Sequence, residues 1–387
     1  MDPEERYMWS ALDLARQGLG KTSPNPMVGA VLVKDGEVLG TGFHAKAGGP
    51  HAEIVALQEA GEKARGATLY TNLEPCSHHG RTPPCVEAII QAGVKKVVVA
   101  MVDPNPIVSG AGIRRLREAG IKVRVGVLEE KARRLNEVFL KYITTKTPFL
   151  IVKMAMTLDG KIAVKSGQSR WITGPKSRKF VHKLRSMSDG IVVGINTLLQ
   201  DDPLLNVRLN GEKSANPARI IVDSKGRLPL ESRVVKTAAE IKTILATTEL
   251  APSSKLASLE SAGVEVLVLP LKNGRVDLRA MMSVLGKKEI SILMAEGGGT
   301  LNYSFLTENL IDKIYFFLAP KLVGGKGAPT PLEGEGAKDL SDAWIVEDIE
   351  MKQLDQDLLI IGYPVRGEEN VHGYCGRTGR SIGQAVQ

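Results

Sequence analysis

Two fragments of the chain, PHAE at 50–53 and EPCSHHGRTPPC at 74–85, carry residue types that bind metal and move protons. Zinc accepts imidazole nitrogen and thiolate, and a catalytic zinc site keeps its fourth position for water. His51, Cys76 and Cys85 supply three such ligands and leave that position open. Glu53 lies two residues beyond His51, roughly 200° further round a helix, which suits it poorly as another ligand. It suits a proton shuttle instead, because zinc acidifies its water and a carboxylate can relay the proton released. Pro75 reads as the start of a helix whose N-terminus would help hold the Cys76 thiolate.

A zinc base-deaminase signature pairs H-x-E with P-C-x-x-C. Here eight residues separate the cysteines, so SHHGRTPP must loop out and return Cys85 to the metal. That loop carries His78, His79 and Arg81, which can face a substrate phosphate. The competing reading is a closed zinc knuckle with His78 or His79 as fourth ligand, which leaves Glu53 without a role.

The elements that must position these residues alternate between the two structural periods. Met8, Leu12 and Ala15 mark a helix over 5–18, and AVLVKDGEVLGTGFH reads as two strands joined by a Lys-Asp-Gly turn. A helix from His51 to about Ala64, the strand ATLYTNL, a helix near Val86–Ala92 and the strand KKVVVAMV follow. RRLREAG ends a helix at Gly120, IKVRVGV is a strand, and 131–143 is helical. After the polar KTP a second series begins at FLIVKMAMTLDGKIA, with DGIVVG, ARIIVDS, KTILATT, VEVLVL, ISILMAEGG and KIYFFLAP as further strands. Such alternation implies α/β layers. The division expected is 1–146, 147–366 and a Gly-rich, mobile tail at 367–387, for whose His372 and Cys375 the sequence suggests no role.

Bulk properties narrow the partners. A chain of 387 residues suggests two domains, and 43% hydrophobic with 24% charged residues is ordinary for a globular protein. The formal charge of +8 favours anionic partners, whereas 4% aromatics offers little for stacking on unpaired bases. No apolar run spans a bilayer and the amphipathic N-terminus lacks a signal-peptide pattern, so a cytoplasmic protein is expected. Three cysteines, two of them beside histidines, suit a reducing compartment and a metal.

The segments TSPNPMVGAVLV, GFHAKAGGPHAE and EPCSHHGRTPPC resemble the deaminase half of the bifunctional riboflavin-biosynthesis deaminase/reductases, the RibD family. VKMAMTLDGKIA, SRWITG, GINTLLQDDPLLNVR and EGGGTLNYSFL are similar to that family's reductase half, and the resemblance runs over about 1–365. It implies a cytidine-deaminase-like three-layer domain followed by a dihydrofolate-reductase-like domain with a mixed sheet. It also implies Zn2+ and NADPH as cofactors, a homo-oligomer, and a phosphorylated pyrimidine substrate, 2,5-diamino-6-(5-phosphoribosylamino)pyrimidin-4(3H)-one. The first domain would replace its exocyclic 2-amino group with oxygen, and the second would reduce the phosphoribosyl group to phosphoribityl.

Carried over by that resemblance, Asn25 and His44 contact the pyrimidine, while His78 and Arg81 lie toward the ribose phosphate. Asn25 also reads as a turn residue between Pro24 and Pro26, and His44 as a strand-end cap. On the cofactor side of the reductase stand Ala155, Trp171, Thr197, Asp201, Ser224, Gly298 and Gly299. Ser224, with Lys225 and Arg227 behind it, is the candidate for the 2′-phosphate. Substrate contacts fall at Ser169, Arg185, Leu205, Arg208 and Glu296. Arg185 and Arg208 suit a phosphate but also read as surface cations. Lys153, with Asp201, is the candidate to handle the ribose proton, and otherwise ends the first strand. His182 reads as solvated on a basic helix. No G-x-G-x-x-G follows the first strand, which argues against a Rossmann domain; AEGGGTLNYSFL instead puts glycines between strand and helix. The rival function is a nucleic-acid base deaminase with an appended binding domain.

Overall fold

The computed structural model describes residues 2–77, 84–105, 108–209 and 215–366. Among these the chain forms two compact units, one up to Thr145 and one from Lys146. His78, His79, Arg81 and the tail beyond 366 lie outside the described residues.

The first unit runs α1 (Pro3–Arg16), β1 (Gly29–Lys34), β2 (Glu37–Phe43), α2 (Ala52–Ala60), β3 (Thr68–Thr71), α3 (Cys85–Gln91), β4 (Lys96–Val99), α4 (Ala111–Glu118), β5 (Lys122–Val125), α5 (Glu129–Leu135) and α6 (Glu137–Thr145). Its sheet has the order β2-β1-β3-β4-β5, antiparallel through β2, β1 and β3 and parallel from β3 to β5. Asp35 and Gly36, both at positive φ, make the hairpin between β1 and β2. Two glycines show why the helices sit so close. A Cβ on Gly29 would lie 2.0 Å from Ala11 O of α1, and one on Gly42 would lie 2.2 Å from Ala52 O of α2. Gly42 pairs with Ala30, the neighbour of Gly29, so the two glycines face opposite sides of the sheet. Helices therefore cover both faces, which is the three-layer arrangement expected.

The second unit runs β6 (Phe149–Thr157), α7 (Pro175–Ser186), β7 (Gly190–Gly194), α8 (Ile195–Asp201), β8 (Ala218–Val222), α9 (Arg233–Lys236), β9 (Thr243–Thr247), α10 (Ser253–Ser261), β10 (Glu265–Val268), β11 (Leu271–Lys272), β12 (Arg275–Val276), α11 (Leu278–Lys287), β13 (Ile292–Ala295), α12 (Gly299–Thr307), β14 (Lys313–Ala319), β15 (Ile345–Leu354) and β16 (Asp357–Val365). Nine strands form one sheet in the order β10-β9-β8-β7-β13-β6-β14-β16-β15. Neighbours are parallel from β10 to β14, and β16 runs against both β14 and β15. The sheet is mixed, as expected. Val192 packs in one apolar cluster and its neighbours Ile191 and Val193 in another, so both faces are buried and the strands read as continuous apolar runs. Arg219 of β8 is wholly buried. Its guanidinium donates to the carbonyls of Val234 (2.9 Å), Thr237 (3.0 Å) and Ile241 (2.8 Å) and to the hydroxyls of Thr237 and Thr243.

Three local expectations are corrected. The helix over 131–143 is two helices that break at Asn136, whose side chain accepts from Met27 N (2.8 Å) and donates to Met27 O (3.0 Å). Lys153 does not end the first strand; β6 continues to Thr157. Strands β15 and β16 were not expected, because β15 is exposed from Glu347 to Gln353 and shows no apolar face. Among the described residues no helix is long and apolar enough to cross a membrane.

Candidate zinc and reductase sites

His51 is the N-cap of α2, which places Glu53 in that helix's first turn. Cys76 lies in the irregular stretch after β3, so the helix expected from Pro75 is absent; Cys85 itself begins α3. The correction has a simple physical reason. Pro84 stands at the N-cap of α3, and the Cys85 backbone N–H is left to donate to Cys76 Sγ at 3.3 Å. The thiolate is thus held by a neighbouring segment and not by its own. Glu74 fixes that stretch: its carboxylate accepts from the backbone N–H of Asp103 (3.1 Å), Gly110 (2.9 Å) and Ile113 (3.1 Å). Glu74 carried no sequence signal of this role, since its partners lie far along the chain.

His51 Nδ1 stands 3.1 Å from Cys85 Sγ and 3.4 Å from Cys76 Sγ, and the three donor atoms all lie within 4.8 Å of one another. Donors around a tetrahedral zinc, bonded at ~2.1 and ~2.3 Å, stand ~3.6 Å apart, so the trio fits the ion with little movement. Hydrogen bonds from the Cys85 thiol and from His51 push the Cys76 thiol down to about 4. Glu53 is 3% exposed, and its Oε2 has no hydrogen-bond partner among the described residues. Burial, followed by the charge of Cys76, raises its carboxyl to about 7. A buried, unpartnered carboxylate oxygen beside a soft donor trio fits a site that would hold a metal ion and its water.

His44 packs edge-on against His51 of the donor trio, with ring centroids 5.5 Å apart. Its Nδ1 donates to Pro50 O (3.0 Å), which leaves Nε2 as the acceptor facing Asn25 Nδ2 at 3.4 Å. Asn25 also closes a turn through its N–H to Thr22 O (2.7 Å), so turn residue and site residue are the same group.

In the second unit the candidates gather at the carboxyl ends of the parallel strands, where open α/β sheets hold ligands. Ala295 pairs with Val152, so the next residues, Glu296 and Lys153, come together with Nζ 3.9 Å from Oε2. Arg185 clamps Glu296 through Nε (2.5 Å) and Nη2 (2.9 Å), and its Nη1 donates to Asn206 O (3.0 Å). Arg185 is therefore neither a surface cation nor an open fork for phosphate. Burial alone would raise Glu296; the Arg185 guanidinium, then Lys153, outweigh it and hold the carboxyl down to about 2. Burial pushes Lys153 down.

Thr197 Oγ1 accepts from Gly298 N (3.1 Å), the N-cap of α12. Gly299 is a glycine for packing, because a Cβ there would lie 2.4 Å from Thr330 O. Ser224 Oγ accepts from Val276 N (3.1 Å), Leu205 buries its side chain in the core, and the backbone O of Asp201 accepts from Arg170 (3.1 Å). Ser169 and Trp171 line a cavity of about 220 Å³ with Thr157 and Lys321; Ala155 packs against a core cluster nearby on β6. His182 is corrected most. It is not merely solvated but half-buried and engaged: Arg208 N donates to its Nδ1 at 3.2 Å, beside Arg185. Its position three residues before Arg185 on one helix was the available signal.

Comparison with known proteins covers both units. The family model for the RibD C-terminal domain matches residues 148–360, and that for the cytidine and deoxycytidylate deaminase zinc-binding region matches 1–101. A riboflavin biosynthesis protein RibD of Actinobacillus pleuropneumoniae is 45% identical over 92% of this chain and 93% of its own. One of Aquifex aeolicus is 46% identical over 92% and 97%. Among solved structures, an Acinetobacter baumannii RibD superimposes with a TM-score of 0.84 at 40% identity, covering 94% of this chain and 99% of that one. A Thermotoga maritima diaminohydroxyphosphoribosylaminopyrimidine deaminase/5-amino-6-(5-phosphoribosylamino)uracil reductase gives 0.80 at 38% identity, over 94% and 99%.

Proposed function

The chain belongs to the RibD family of bifunctional deaminase/reductases of riboflavin biosynthesis, and from that premise we propose which of its residues do the work and on what substrate. The first unit hydrolyses the exocyclic 2-amino group of 2,5-diamino-6-(5-phosphoribosylamino)pyrimidin-4(3H)-one: a C–N bond breaks, a C–O bond forms and ammonia leaves. The second unit reduces the ribosyl carbon of the product, 5-amino-6-(5-phosphoribosylamino)uracil, with hydride from NADPH.

One observation carries the first assignment: the unpartnered Glu53 Oε2 beside the donor trio His51, Cys76 and Cys85. Zinc, when bound there, supplies an acidified water and a Lewis acid. Glu53, raised to about 7 by burial, can take up a proton at Oε2 and return it at neutral pH. Asn25 and His44 orient the pyrimidine, and His44 keeps its acceptor toward Asn25 because Pro50 O holds its other nitrogen. His78 and Arg81 are assigned to the ribose phosphate by resemblance alone.

In the second unit Lys153 is the proposed proton handler at the ribose, since a lysine made less basic by burial gives up a proton readily. Glu296, kept ionised by Arg185, orients Lys153 and the substrate. Thr197 and the backbone at the start of α12 hold the cofactor's pyrophosphate, with Ala155, Trp171, Asp201, Ser224 and Gly299 along its path. Ser169, Leu205 through its backbone, and Arg208 complete the substrate side.

A domain boundary near 146/147, a cytoplasmic location and a homo-oligomer are proposed with this reading. The oligomer is supported by β15, an edge strand that exposes Ile345, Ile349 and Met351. Sedimentation of the full chain tests it. The nucleic-acid deaminase reading is set aside, because likeness to RibD proteins extends over both units. Incubation with the diaminopyrimidine phosphate, with and without NADPH, followed by mass spectrometry tests both steps. A Glu53→Ala variant should keep about one zinc per chain and lose roughly 10²–10⁴-fold in ammonia release; full activity would refute the role given to Glu53.

A further inference from the structure

We infer that His182 binds the phosphate of the reductase substrate jointly with Arg208, as a hydrogen-bond donor through Nε2. This rests on the reading that the second unit reduces a phosphorylated ribosyl compound. The geometry starts from the Arg208 backbone N–H, which donates to His182 Nδ1 at 3.2 Å. An imidazole nitrogen that accepts carries no hydrogen, so the neutral ring holds its proton on Nε2. That Nε2 lies 3.4 Å from Arg208 Nη2, and a guanidinium nitrogen is a donor only. Two N–H donors thus converge with no protein acceptor bridging them among the described residues. Such an arrangement is stable when an anion's oxygen accepts from both.

The charges around the pair agree. Arg185 and Lys153 act on His182, and Arg185, Arg233 and Arg170 act on Arg208. The carboxylate that faces both is Glu296, whose two oxygens are already taken by Arg185. Burial and then the neighbouring guanidinium groups push His182 down to about 4, so the ring is neutral and its tautomer is set by Arg208 alone. A phosphate monoester supplies the missing negative charge and enough oxygens for the guanidinium fork and the imidazole together. Arg185 differs from the pair in that its Nε and Nη2 are clamped on Glu296 and its Nη1 donates to Asn206 O.

Both the substrate phosphate and the cofactor 2′-phosphate are monoesters; the pair is assigned to the substrate. The test uses the full chain and steady-state reduction of 5-amino-6-(5-phosphoribosylamino)uracil. His182→Asn keeps an acceptor for Arg208 N and deletes the Nε2 donor. It should raise KM for the phosphorylated compound roughly 10- to 100-fold, the cost of one hydrogen bond to a charged group, with kcat changed little. His182→Leu should lose more, and the dephosphorylated compound should be reduced equally poorly by all three proteins. Urea unfolding of the second unit, compared with the unmodified chain, checks that the variants are folded. An unchanged KM in His182→Asn overturns the inference. A KM that stays constant while the preference for NADPH over NADH falls also overturns it, by moving the pair to the cofactor. If the unmodified chain does not reduce the compound with NADPH, the functional reading itself fails.

Discussion

Replacing Arg185 by methionine removes the guanidinium and keeps most of the buried stem. In the structure that guanidinium holds both oxygens of Glu296, and the side chains are 13% and 9% exposed. Glu296 sits at about 2 against an ordinary 4.5, despite burial that acts in the opposite direction. At ~1.4 kcal/mol per decade of acidity, this gap is worth ~3 kcal/mol at neutral pH. Breaking a buried ion pair from one side costs ~3–5 kcal/mol, so the two routes agree. Arg185→Met should therefore destabilise the second unit by ~3 kcal/mol, read by hydrogen exchange across 292–296 and by urea unfolding. Arg185→Met with Glu296→Gln should recover part of the loss, giving a clear coupling energy in the double-mutant cycle. The sign with pH follows from the depressed carboxyl. The stabilisation is complete above 4.5 and disappears as pH falls toward about 2, a slope that the Glu296→Gln chain should lack. A loss below ~1 kcal/mol, accompanied by a raised KM for phosphorylated substrate, would refute the structural role and return Arg185 to the phosphate.

Cys85→Ser should take zinc content, measured by atomic emission, from about one per chain to near zero, and ammonia release with it. Gly42→Ala puts a methyl 2.2 Å from Ala52 O, so α2 must move; a stability loss of ~1–3 kcal/mol should come with weaker zinc binding at His51. Arg219→Met removes the guanidinium donor from the carbonyls of Val234, Thr237 and Ile241 and leaves weaker hydroxyl and backbone donors to them in the core. It should cost ~3 kcal/mol or more in thermal or urea unfolding of the second unit and leave ammonia release unaffected.

Much of this protein is local in origin and so legible in the chain. The β1–β2 turn is written in Asp35-Gly36, because few other pairs accept two positive φ values. The apolar runs of β4, β7 and β13 announce buried parallel strands, and the family and its two reactions follow from motifs a dozen residues long. The donor trio His51, Cys76 and Cys85 was readable from residue types alone, although the helix assigned to Cys76 belongs to Cys85.

Other features depend on register and burial, which spacing does not encode. β15 has no buried face to give it a pattern, since it sits at the sheet edge. Glu296 meets Arg185 from 111 residues away, a pairing that residue spacing does not announce. His182 looked solvated until the backbone of Arg208 fixed its tautomer. The chemistry available was thus determined by the sequence, through which side chains exist and how they repeat. Which of those side chains is charged, neutral or left with an unused donor was decided only by tertiary structure, because burial and distant partners set a group's protonation.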